Sequence, residues 1–135
     1  MENNVLPASI SISRIDHVVI TVRDLDSTLA FYVGVLGMRL ERFGEDRVAL
    51  RFGSQKLNVH EVKKPLGLVA EAPMPGALDI CFIADTPVDD IVASLEAHGV
   101  TIVQAPSTRT GACGPIRSVY VRDPDGNLVE LSNYE

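Results

Sequence analysis

The sequence predicts an α+β protein built from two copies of a βαβββ unit. Two observations carry this: an internal repeat, and within each copy a switch from strand-like to helical to strand-like hydrophobic patterning. The first copy opens with an apolar strand over residues 15–22 (IDHVVITV). Asp24 then supplies an acidic helix start, and Leu25, Leu29, Tyr32 and Leu36 recur on one helical face until Gly37 stops the run. The second copy opens over residues 78–84 (LDICFIA). Thr86 and Pro87 provide an N-cap and a first-turn proline for a helix marked by Val88, Ile91, Leu95 and His98 and ended by Gly99.

Gly37 and Gly99 stand 62 positions apart, and the same offset sets His17 against Asp79 in the two opening strands. Strand-like runs follow each helix, over 39–43, 47–52 and 56–62 in the first copy and over 101–104, 118–122 and 127–131 in the second. Gly53-Ser54 and Asp123-Pro124-Asp125-Gly126 are turn sequences between the last two runs of each copy. Setting the final strands side by side pairs His60 with Glu130 at an offset of 70, which gives the second copy about eight extra residues. The surplus falls in an expected loop over 106–117 (PSTRTGACGPIR), which carries Arg109 and Arg117. The proline-rich stretch 63–76 links the copies and is a candidate lid. The expected organisation is a tail over 1–13 and one domain over 14–135, divided into module one (14–64), a linker (65–76) and module two (77–135).

A chain of 135 residues can bury roughly 70% of the surface its unfolded form exposes, enough for one sizeable core. Hydrophobic residues make up 46% and charged residues 22%, which excludes a disordered composition. No segment approaches the ~18 continuous apolar residues of a membrane span. The N-terminal residues lack a signal-peptide pattern, and the two cysteines form neither a zinc spacing nor a disulfide framework, so a reducing cytoplasm is expected. A formal charge of −6 without a basic cluster argues against nucleic acid and leaves a small molecule as the expected partner.

The doubled βαβββ unit, with IDHVVITVRDLDSTLAFYVGVLGM at its start and DPDGNLVEL at its end, resembles the vicinal oxygen chelate (glyoxalase/bleomycin resistance/extradiol dioxygenase) superfamily. The segments EDRVALRFGSQKLNVHEV, PGALDICFI and RTGACGPIRSVYVRDPDGNLVELSNY look more narrowly like a glyoxalase-domain group that includes bacterial virulence-associated proteins. The resemblance implies a cupped mixed sheet around one divalent metal ion. Carried over residue by residue, it implies His17, His60, Asp79 and Glu130 as ligands, Asp79 either direct or hydrogen-bonded to a ligand. Imidazole and carboxylate donors suit Ni, Zn, Co, Mn or Fe(II). His98, at a helix end, reads as structural.

The resemblance further implies glyoxalase I chemistry, with Glu130 as metal-bound general base, glutathione as co-substrate and a homodimer as the working unit. Arg109 and Arg117 are candidates to hold the carboxylates of glutathione. Three alternatives stay open. An extradiol-type Fe(II) dioxygenase would need a 2-His-1-carboxylate site, for which Asp79 stands where a histidine is expected. A drug- or metabolite-sequestering protein would need no metal ligands, and a thiol transferase acting on an epoxide antibiotic has no distinct signature here.

Overall fold

A computed structural model describes residues 6–64 and 67–135, so part of the expected tail and residues 65–66 of the expected linker lie outside the described residues. Module one runs β1 (His17–Val22), α1 (Leu25–Leu29), β2 (Arg39–Phe43), β3 (Arg47–Phe52) and β4 (Gln55–Glu61). Module two runs β5 (Asp79–Ile83), α2 (Val88–Ala97), β6 (Ile102–Gly111), β7 (Gly114–Arg122) and β8 (Leu128–Tyr134). Each module forms its own four-stranded mixed sheet, ordered β1-β4-β3-β2 and β5-β8-β7-β6, with the first strand parallel to the last and the other pairs antiparallel. No helix among the described residues is long and apolar enough to cross a membrane.

The helices depart from the expectation in detail. Asp24 caps α1 by accepting from the backbone N–H and the hydroxyl of Ser27. Its carboxyl is thereby held below the usual carboxylate range. The helix then widens into a π-helical segment, Ala30–Val35, before Gly37 ends it at φ 75°. In α2, Pro87 occupies the cap position itself, one residue earlier in the helix frame than expected, and has no side chain able to cap. The cap comes from elsewhere: Asn133 Oδ1 on β8 accepts from the Val88 N–H at 2.7 Å, while its Nδ2 donates to the carbonyls of Ala84 and Thr86.

The stretch expected as a loop over 106–117 is instead a strand hairpin, β6 and β7 joined at Ala112-Cys113. The surplus residues lengthen these strands. The ladder breaks register between Ile102 and Gln104 and again between Gln104 and Ser107, a stretch that contains Pro106, which has no N–H to donate.

One hydrophobic cluster spans both modules. Ile20, Val22, Leu50 and Leu57 of the first sheet and Val119, Val121, Val129 and Leu131 of the second meet Phe31 and Tyr32 from the first helix and Val88, Ile91 and Leu95 from α2. Phe52 and Phe82 add an edge-to-face contact between the modules at 5.1 Å. At one side of this core the DPDG turn acts as a docking point. Asp123 is 5% exposed; its Oδ1 accepts from the backbone N–H groups of Asp125 and Asn127, and its Oδ2 from Asn127 Nδ2 and from the Tyr32 hydroxyl at 2.7 Å. Burial, reinforced by the neighbouring Asp123 carboxylate, pushes the Tyr32 phenol far above its ordinary value, so Tyr32 is a donor at every relevant pH. Arg23 adds a second tie, its backbone N–H and Nη1 both donating to Asp125.

Tyr32→Phe removes the buried Tyr32–Asp123 hydrogen bond across this junction and should cost about 1–3 kcal/mol in urea unfolding, because an Asp123 lone pair then loses its donor. An unchanged unfolding midpoint would show that this hydrogen bond adds nothing net to the apolar packing and the Arg23–Asp125 tie that also join the modules.

Candidate functional site

With one face of each sheet in the shared core, the alternate residues of every strand form an outer face. In module one the strand register lines up His17 with Lys56, Val19 with Asn58 and Thr21 with His60 across β1 and β4. The same face continues through Ala49, paired with Asn58, and through Glu41, paired with Ala49. It is strongly basic: Arg39, Arg47, Arg51 and Lys56 share it with a single acid, Glu41, which pairs with Arg51. Lys56 Nζ lies 4.1 Å and Arg47 Cζ 4.8 Å from the centre of the Phe43 ring. His17 is 43% exposed and its Nδ1 contacts Asp16 at 2.8 Å, which holds the Asp16 carboxyl below its ordinary range.

In module two the register lines up Asp79 with Leu128 and Cys81 with Glu130 across β5 and β8, and Glu130 with Tyr120 across to β7. Asp79 and Glu130 are therefore offset by only two positions on one face, near enough for their carboxylates to converge. Arg109 belongs to this face through its pairing with Ile116, and its guanidinium stands 5.2 Å from the centre of the Tyr120 ring. Burial raises the Cys81 thiol, against a hydrogen bond with Ser132, and the Glu130 and Asp79 carboxylates raise it further. Burial also raises the Tyr120 phenol, with the Glu130 carboxylate beside it adding to the effect.

The two faces place two of the expected site residues, His60 and Arg117, apart from the others. His60 does not match Glu130. The residue opposite Val19 in module one is Asn58, just as Glu130 is opposite Cys81 in module two, so the true offset between final strands runs from Asn58 to Glu130. His60 lies four residues beyond Lys56, the partner of His17, which separates the two histidines by about 13 Å along the strands and prevents them from sharing an ion. The His60 ring is instead 6% exposed, donates from Nε2 to the Lys64 carbonyl at 3.1 Å, and lines a cavity of about 450 Å³ beside linker residues such as Val69 and Met74.

Arg117 is the second of these. It pairs with Thr108 and Asn133 on the opposite face of the hairpin from Arg109 and donates to Asp89 at the start of α2, 3.0 Å away. Only Arg109 stands with Glu130. His98 caps α2, its Nδ1 donating to the Ser94 carbonyl at 2.8 Å.

Among the described residues of one chain, no three His, Cys, Asp or Glu side chains lie close enough together to hold a metal ion. Each face carries two side chains with nitrogen or oxygen atoms in matching positions: His17 and Asn58 on the first, Asp79 and Glu130 on the second. Asn58, Tyr120 and the basic side chains of β2 to β4 were not singled out from the sequence. Their signal was there in the alternation Arg39-Glu41-Phe43 and Lys56-Asn58-His60, which places every second residue on one face.

With the fold and both donor faces in place, the chain belongs to the Glyoxalase/Bleomycin resistance protein/Dioxygenase superfamily, which it matches over residues 14–131. It is 48% identical over 123 residues to the virulence protein STM3117 of Salmonella typhimurium, covering 91% of this chain and 85% of that one. The crystal structure of STM3117 superposes with a TM-score of 0.91 at 47% identity, over 93% of this chain and all of that one. The glyoxalase domain-containing protein RDO1 of Mycosarcoma maydis is 48% identical over 126 residues, 93% of this chain and 71% of RDO1. A probable lactoylglutathione lyase of Vibrio cholerae is 32% identical over 128 residues, 87% of this chain and 88% of that protein.

The Cys81–Glu130 pairing has a chemical readout. In metal-free protein lacking the second thiol (Cys113→Ser), Glu130→Gln should speed alkylation of Cys81 by iodoacetamide near neutral pH, because the negative charge that disfavours the thiolate is gone. An unchanged rate would separate the two side chains.

Proposed function

We propose that this chain is a divalent-metal-dependent enzyme of the glyoxalase I type, working as a pair of copies that isomerise the methylglyoxal–glutathione hemithioacetal to lactoylglutathione. The observation that carries this reading is the matched placement of donors on two outer faces, each beside a first strand with only one neighbour. Among the described residues β1 and β5 both have a free edge, and Val19 and Ile83 leave apolar surface on them, 49% and 53% exposed. Apposing module one of one copy with module two of another brings His17 to Asp79 and Glu130. The basic face around Lys56 and Arg47 then meets the acidic pair, a complementarity that favours this pairing over like with like.

His17, Asp79 and Glu130 are the residues that would hold the ion; His60 lies too far along the strand to join them. A divalent ion there supplies Lewis-acid stabilisation of the negative charge that develops on substrate oxygen. Glu130 takes the proton from the hemithioacetal carbon next to the carbonyl and returns it to the former carbonyl carbon, leaving a thioester and a hydroxyl with no net oxidation. Tyr120, beside Glu130, buttresses the carboxylate against rotation. Arg109 receives a carboxylate of the glutathione moiety, while Arg117 is engaged by Asp89 on the other face and takes no part.

Metal-stripped protein reloaded separately with Ni, Co, Zn, Mn and Fe(II) should turn over the hemithioacetal with at least one ion. Glu130→Gln should lower that turnover by about 100-fold or more, the usual contribution of a positioned base, while much of the metal stays bound. Undiminished turnover would remove Glu130 as the base. Binding without turnover by any ion would keep the metal site and move the substrate elsewhere, with catechols the next to test.

A further inference from the structure

We infer that Asn58, and not His60, completes the metal site of this chain, so that the ion meets one imidazole, two carboxylates and one amide oxygen. The inference rests on the metal-dependent reading above and adds a donor and a metal preference to it. Three observations converge on Asn58. The parallel register gives it the same relation to His17 that Glu130 has to Asp79, two positions along the neighbouring strand on the same face. Its side chain is 6% exposed, yet Oδ1 is buried with no hydrogen-bond donor among the described residues. Its neighbours on that face across the ladder, Val19 on β1 and Ala49 on β3, carry no group that could satisfy it. A buried amide oxygen without a donor is uncommon in a folded protein, and this one stands two strand positions from the level of His17.

His60 is the competing donor and its surroundings argue against it. Its Nδ1 is also buried and unpartnered, but its Nε2 is tied to the Lys64 carbonyl and its strand level is that of Thr21, one full pleat beyond Asn58. The hydrogen bond at Nε2 leaves Nδ1 free to coordinate, so it is the strand level that sets His60 apart: reaching an ion beside His17 from there would mean moving β4.

The chemical consequence follows from the donor set. Two carboxylates cancel the charge of a divalent ion, the amide adds a neutral hard oxygen, and His17 alone supplies nitrogen. Oxygen-rich sets of this kind favour Mn(II)-like hard ions more than a two-histidine set does. Exchanging the amide for a carboxylate should therefore strengthen binding, and deleting it should weaken binding with the backbone undisturbed.

The test is Mn(II) titration of the full chain, followed by loss of the free-ion paramagnetic resonance signal, for the wild type, Asn58→Ala, Asn58→Asp and His60→Ala, with circular dichroism confirming each fold. Asn58→Ala should weaken Mn(II) binding by about tenfold or more, Asn58→Asp should tighten it, and His60→Ala should leave it within about twofold. Asn58→Asp is isosteric and stays informative if the alanine variant folds poorly. Unchanged affinity in both Asn58 variants overturns the assignment while leaving the metal-dependent reading intact, as does a loss in His60→Ala equal to that in Asn58→Ala. A wild-type chain that binds neither Mn(II) nor Zn(II) overturns both.

Discussion

The parallel pairing of the first strand with the last in each module, β1 with β4 and β5 with β8, decides which side chains are neighbours on the outer faces. Paired residues of parallel strands point the same way, so each pairing sets a polar side chain of the opening strand, His17 or Asp79, two positions from one of the closing strand, Asn58 or Glu130. A parallel pair also needs a long connection, which each module supplies as a helix and two further strands, and those elements carry the hydrophobic surface that joins the modules. The donor geometry and the core are thus two faces of one arrangement. A change that slides β4 along β1 would move the donors and misalign Leu57 and Val59 from the core together.

The second constraint is the junction between the modules. Helices and core faces pack against one another within the chain, and the buried Asp123 carboxylate gathers four donors, one of them the Tyr32 hydroxyl from the other module. That packing turns both outer faces away from the shared core, so His17 and Asn58 stand on one face and Asp79 and Glu130 on the other, and no three His, Cys, Asp or Glu side chains cluster among the described residues. The proposed pairing of copies follows from this arrangement. The chain spends its apolar surface on joining its own modules and leaves two polar faces, one basic and one carrying the Asp79 and Glu130 carboxylates beside Arg109 and Arg122, each with a free strand edge among the described residues.

Much of the fold was legible in the sequence because it rests on local patterns. The alternation in 15–22 and 78–84, the glycine stops at Gly37 and Gly99, and the constant offset between His17 and Asp79 all follow from period and turn chemistry. What escaped was set at a distance. Asn133 caps α2 from another strand, so the local Thr86-Pro87 signal placed the helix start slightly wrong. Gly111, Gly114 and Pro115 suggested a loop, yet pairing across the hairpin carries β6 and β7 through them. The exchange of Asn58 for His60 has a sharper cause. A one-residue slip in register would invert the faces and be visible in the hydrophobic pattern, whereas a two-residue slip keeps every residue on its own face. Only the pairing of β1 with β4 tells the two apart.

The central claim, that the metal site draws its ligands from module one of one copy and module two of another, is tested most directly by mixing two inactive variants. His17→Ala and Glu130→Ala should each bind little metal alone. If sites form across copies, a mixed pair carries both lesions in one site and leaves the other intact, so an equimolar unfolded-and-refolded mixture should recover about a quarter of the wild-type metal stoichiometry. Recovery to that level would establish the shared site. A mixture that binds no more metal than its separate components would contradict it.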